Sequence, residues 1–115
     1  MLYEQKFLFS LLLTLIVEIP IAVFLVRYLY KYKEIKTSKI VFVGLIASTL
    51  TLPYFWFILP AYIVSRSLYI FIGEILIIFI EATIYSQFFE LKLSKAFIVS
   101  LVANIASIFL GLVIQ

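Results

Sequence analysis

The sequence predicts an all-α polytopic membrane protein: a single transmembrane domain, residues 1–115, of four helices arranged as two tandem helical hairpins. Three observations predict it. The chain is 66% hydrophobic and 13% charged, with a mean hydropathy of +1.25, whereas a soluble domain carries about 25% charged residues. Its apolar residues fall into four runs, at residues 7–28, 40–62, 68–89 and 96–114, each near the roughly 20 residues that cross a bilayer as a helix. The connections, LYKYKEIKTSK, IVSRS and ELKLSK, are too short for a soluble domain, so consecutive helices must be antiparallel neighbours.

The first run is too long for the apolar core of a signal peptide and is followed by Lys31, Lys33 and Lys36 rather than by a small-residue cleavage site. It therefore reads as a retained span. The basic residues orient the chain. Arg27, Lys31, Lys33, Lys36, Lys39, Lys92 and Lys95 lie on one side, and Lys6 and Arg66 on the other. Positive residues accumulate on the cytoplasmic side, which puts both termini outside the cell (inner) membrane and the basic loops 29–39 and 90–95 in the cytoplasm. Tyr28, Tyr30, Tyr32, Tyr62 and Tyr69 fall near span ends, where interfacial aromatics belong.

A shift of 56 residues superposes the two hairpins. EIKTSK at 34–39 falls on ELKLSK at 90–95, VGLIAS at 43–48 on VSLVAN at 99–104, and Glu18 on Glu74. Apolar matches are cheap in such a chain, but matches between its rare charges are not, and we read them as a duplicated hairpin with both copies inserted the same way round. Under this register Ser48 pairs with Asn104 and Thr51 with Ser107. Glu81 has no acidic counterpart, falling on Leu25, and Pro20, Pro53 and Pro60 are confined to the first half.

Each span carries one polar or small stripe at helical spacing: Ser10, Thr14 and Glu18; Ser48 and Thr51; Glu74, Glu81 and Tyr85; and Ser100, Asn104, Ser107 and Gly111. Such stripes turn inward in lipid, which gathers the most polar groups near mid-span. Glu74 and Glu81 lie about 10 Å apart along their helix. An ionised acid at a helix centre costs roughly 2.5–3.5 kcal/mol to insert, or on the order of 8–10 kcal/mol for three. The candidate proton- or cation-binding residues are accordingly Glu18, Glu74, Glu81, Asn104, Thr51 and Tyr85, with Tyr85 placed to hydrogen-bond Glu81. Pro20 and Pro53 leave the carbonyls of Ile16 and Thr49 without their helical donors, so these join the candidate oxygen ligands for a hard cation. The competing reading makes the glutamates protonated packing elements in a structural or assembly subunit of a larger membrane complex. The small stripe on the fourth helix also permits self-association into a homo-oligomer.

Other classes lack residues to carry them. The chain has no Cys, His or Asp and only three Gly, which removes thiolate and imidazole chemistry, P-loops and dinucleotide folds. No catalytic motif is present, and no cofactor is expected. The basic residues sit at the membrane surface beside the lipid bilayer, not in a nucleic-acid footprint.

The motifs VEIP at 17–20, TLP at 51–53, GEILIIFIEATIY at 73–85 and LVANIASIFLG at 101–111 resemble those of a widespread prokaryotic group of small four-helix integral membrane proteins of unknown function. Their common pattern is Glu-x-Pro, Thr-x-Pro, Glu-x6-Glu-Ala-x-x-Tyr and Asn-x-x-Ser. The resemblance implies the same architecture and the same polar residues, but no substrate. Leu52 stands where the group usually has Asn.

Overall fold

The computed structural model describes residues 2–32 and 34–114; Lys33, counted above among the basic residues, lies outside the described residues. Helix α1 spans Tyr3–Phe24 and continues as a π-helical turn, Leu25–Leu29. Helix α2 spans Thr37–Pro53 and continues through a π-helical segment, Tyr54–Ile58, into a 3₁₀ turn, Leu59–Ala61. Helices α3, Arg66–Phe89, and α4, Leu93–Ile114, are regular α-helices. All four are long and apolar enough to cross a membrane. Each begins a few residues ahead of its apolar run because polar helix formers such as Glu4, Gln5 and Lys6 extend the helix beyond the hydrocarbon.

The helices form a four-membered ring in which α1 packs on α2 and α4, and α3 on α2 and α4. The molecule is 43 Å long, against a hydrocarbon core of about 30 Å. The short connections are fixed locally. Ser65 caps α3 by accepting from the Leu68 N–H, and Glu90 ends it in the left-handed conformation at φ 56°. Arg27 Nη1 donates to the Ile35 carbonyl at 2.7 Å, closing the loop after α1. Lys95 Nζ donates to the Tyr32 hydroxyl and lies over the Tyr30 and Tyr32 rings, where an ammonium is attracted to the ring faces.

The two halves of the bundle are packed differently. At the basic-loop end a continuous apolar cluster fills the space between all four helices, built on Ala22, Val26, Ile40, Ala47, Tyr85 and Val99. Small residues bring the helices close, and Val26, Ile40 and Val99 are sealed from solvent. At the terminus end the interior is polar and incompletely filled. There the irregular lower end of α2 is braced by tyrosines. The Tyr3 hydroxyl donates to the Trp56 carbonyl and the Tyr69 hydroxyl to the Phe55 carbonyl, and the Phe55 and Tyr69 rings stack at 4.8 Å. Backbone that leaves the α-helical ladder inside a membrane needs such partners, since no bulk water is present to supply them.

Pro20 and Pro53 behave differently. Pro53 closes the α-helical part of α2, and the wider π turns follow at once, whereas α1 remains α-helical for four residues past Pro20. Ile16 and Thr49 lie on outward faces. Each sits two residues before the polar group it was expected to join, Glu18 or Thr51, and two residues turn the helix through about 200°. The proline-freed carbonyls are therefore on the wrong side of their helices to ligate a cation beside the carboxylates.

Candidate functional site

Glu81 is the centre of the polar interior, 1% exposed. Asn104 Nδ2, from α4, donates to its Oε1 at 2.8 Å, and Thr51 Oγ1, from α2, donates to its Oε2 at 3.1 Å. One carboxylate thus ties three helices together. The amide orientation of Asn104 is fixed by its surroundings: Nδ2 also donates to the Ser100 carbonyl at 2.8 Å, and turning the amide over would set oxygen against both that carbonyl and the carboxylate. Ser100 in turn donates to the Ile78 carbonyl on α3 at 2.8 Å.

Thr51 has a second acceptor. Its hydroxyl lies 2.9 Å from the Ala47 carbonyl, and a hydroxyl carries a single hydrogen. If Glu81 is ionised, that hydrogen turns to Oε2. If Glu81 is protonated, Oε2–H donates to Thr51 Oγ1, and Thr51 donates to Ala47. Rotation about one C–O bond satisfies the network in either protonation state.

Glu18 is equally buried, 2% exposed, but differently supported. Its Oε1 has no hydrogen-bond partner, and neither has Ser48 Oγ on the facing helix. The Ser48 and Ser107 hydroxyls flank its carboxyl, and Ser107 approaches Thr14 Oγ1 at 3.4 Å. Glu18 lies on a cavity of about 190 Å³ between the four helices, with Glu74, Asn104, Trp56, Phe55 and Ser107 among its lining residues. The cavity runs from the terminus end, where Gly111 and Leu112 line it, to mid-span. Beyond it the apolar cluster begins.

Of the residues expected from the sequence, Glu18, Glu74 and Asn104 line this one cavity, and Thr51 and Asn104 hold Glu81 immediately behind it. Tyr85 lies one turn from Glu81 on the same face of α3 and makes no hydrogen bond to it. It belongs to the apolar cluster, its ring stacked on Phe89 at 5.6 Å, while the hydrogen bonds to Glu81 come from Thr51 and Asn104. The small stripe of α4 also faces inward: Ser100 meets α3, Ser107 meets α1 and Gly111 lines the cavity. Among the described residues no group of three or more acidic side chains is drawn close enough to hold a metal ion. Of the cavity wall contributed by α2, Leu52 stood out only as a replacement for Asn, and Phe55 and Trp56 escaped the sequence reading. These residues follow or adjoin Pro53, where the 3.6-residue spacing no longer holds; the proline was the available signal.

Fold and site together define a small polytopic integral membrane protein whose interior is apolar at one end and carboxylate-lined at the other. Comparison of the chain with family models, curated proteins and solved structures returned no match.

Proposed function

We propose that the protein binds a proton or a cation inside the membrane, in proton- or cation-coupled transport, with Glu81, Glu18 and Glu74 as the charge-bearing groups. Glu18 carries this reading: a buried carboxyl with an unpartnered oxygen, on a cavity that also holds Glu74 and Asn104. Buried polar groups are nearly always paired, and an ionisable group at this depth marks a functional site by default. The cavity exceeds the roughly 10–15 Å³ that one water requires, so a hydrated or protonated species has room beside Glu18. In this reading both termini face outward, the basic loops lie in the cytoplasm, and the cavity opens to the outside.

Infrared difference spectroscopy on the reconstituted protein tests the proposal. A carboxyl band should appear or shift between mildly acidic and alkaline pH, or on adding cations, and Glu81→Gln should remove part of it. Carboxyl bands that respond to neither treatment would remove the reading.

A second reading rests on the Glu81 network, which ties α2, α3 and α4 and by itself makes a packing device. It casts the chain as a structural or assembly subunit, alone as a homo-oligomer or within a larger complex. Gln keeps the hydrogen bonds and drops the charge, so this reading expects Glu→Gln at positions 18, 74 and 81 to leave function intact. It also expects the protein to purify with itself or another chain; a strict monomer by detergent-corrected light scattering, with nothing copurifying, removes it.

A further inference from the structure

A second opening, separate from the carboxylate cavity, lies between α2 and α3. It is a groove of about 350 Å³ with almost wholly apolar walls, and its lining includes Leu50, Tyr54, Leu76 and Ile80. These four side chains are exposed, so in a membrane the groove faces the acyl chains. At its inner end it reaches Thr51, the residue that holds Glu81 Oε2, while Asn104, which holds Oε1, lines the cavity. Glu81 is therefore hydrogen-bonded on one side to a residue of the lipid-facing groove and on the other to a residue of the polar cavity. Phe55 and Ile77 line both compartments. Phe55 belongs to the π-helical segment after Pro53, and its ring fills the notch over Gly73, where an added Cβ would meet ring carbons Cδ2 and Cε2. π-Helical turns recur at functional sites because they re-aim side chains out of the regular helical register.

Resting on the cation reading above, we infer that the ligand of this site is an organic ammonium with an apolar body, its charge lodged by Glu18 and Glu74 and its body reaching past Phe55 into the groove between α2 and α3. Charge complementarity selects the head: the cavity offers two carboxyls, one with an unpartnered oxygen. The aromatic side chains of Trp56 and Phe55 in the same wall suit an alkylated ammonium. A hard metal ion instead needs six or more oxygens at about 2.3–2.6 Å, or a near-ideal octahedron, and the described acidic residues do not converge to that degree. The apolar groove on the other side of Phe55 has no use for a bare ion, but it accepts a hydrocarbon group at the depth of the bilayer once the ring turns aside.

Trp56 is the single tryptophan of the chain and lies in the cavity wall, so its emission reports on the site in liposomes of zwitterionic lipid. The probes are hexyltrimethylammonium chloride, tetramethylammonium chloride, potassium chloride and sodium hexyl sulfate. Hexyltrimethylammonium should change the emission saturably. Its apparent affinity should fall roughly tenfold or more in Glu18→Gln, which loses a charge-assisted contact. It should fall about threefold in Ile80→Phe, which fills the groove and leaves the carboxylates alone. Circular dichroism confirms that each variant is folded. If tetramethylammonium or potassium acts as strongly as the hexyl cation, or Ile80→Phe has no effect, the apolar-body inference falls while the cation site stands. If hexyl sulfate acts equally, the groove takes any single-chain amphiphile and the inference falls. If no cation acts and the infrared carboxyl bands are also unmoved, both readings fall.

Discussion

At the scale of single residues, the donors and acceptors around Glu81 decide what a substitution does. Asn104→Ala removes the donor to Oε1 and the bond to the Ser100 carbonyl together. Interhelical hydrogen bonds in membranes are worth about 0.6–2 kcal/mol, so a loss of that order is expected in the unfolding free energy measured by denaturant titration in mixed micelles. Glu81→Gln should stay within about 0.5 kcal/mol of the parent, because Gln keeps an acceptor for Asn104 and offers an N–H to Thr51, whose own hydrogen passes to Ala47. Glu81→Leu should be the costly change, leaving the Asn104 amide facing a methyl group. A Glu81→Gln protein as unstable as Glu81→Leu would show that the charge itself, not the hydrogen bonds, holds the three helices. The sequence disclosed most of this cluster. Glu81, Thr51 and Asn104 could be found because a carboxyl, a hydroxyl and an amide stand out in apolar helices, and because depth follows from position along a span. That Thr51 and Asn104, rather than Tyr85, hydrogen-bond Glu81 was not legible from the same stripe. Residues 81 and 85 share a face, but one turn further along that face the neighbours change from polar to apolar, and only the packing of the other helices shows where the change falls.

At the scale of elements, α2 has the longest irregular end, against a single π-helical turn after α1. Its last eight residues, 54–61, leave the α-helical ladder, and the carbonyls so released take up tyrosine hydroxyls from α1 and α3. Pro53 and Pro60 announce irregularity in the sequence, but not its form, because proline removes a donor without specifying which wider or tighter turn replaces the bond. Pro20 shows the limit of the signal: the same residue type lies in α1 on an outward face, with the helix continuing past it. The seat of the irregular segment is Gly73. Gly73→Ala places a methyl against the Phe55 ring, and overpacking of this kind costs about 1–3 kcal/mol. Phe55→Leu in the same chain should recover a large part of it, since the two changes share one contact. A double-mutant cycle in the same titration measures the coupling. Strictly additive effects would mean that the ring does not depend on the notch.

At the scale of the whole molecule, the four apolar helices and the antiparallel pairing of consecutive ones were readable from length, hydropathy and short connections, because a bilayer leaves few alternatives; that α4 packs on α1 to close a ring was not. Nor was the unequal filling of the two ends. Mean hydropathy is high along every span, and it cannot distinguish a closed apolar packing from a cavity. The proposed orientation has its own check. A single cysteine introduced at Lys36 or Lys92 should resist an impermeant maleimide added outside intact cells and react once the membrane is opened. Labelling from outside would invert the orientation and turn the cavity toward the cytoplasm.

The apolar cluster at the basic-loop end has an electrical consequence. In the transport reading, water filling the cavity would carry the potential of the phase it joins to mid-span, and the voltage across the membrane would drop mainly across the sealed half, from the floor near Glu18 to the basic loops. Each elementary charge crossing that half then works against nearly the full potential, about 2.3 kcal/mol per 100 mV, over little more than half the thickness of the bilayer. The field in the seal between Ala22, Ala47 and Val99 would be correspondingly steeper than in the surrounding lipid. A charge exchanged between Glu18, Glu74 and the cavity would sense almost none of it, so binding at the site should be nearly independent of voltage and passage beyond Glu81 strongly dependent on it.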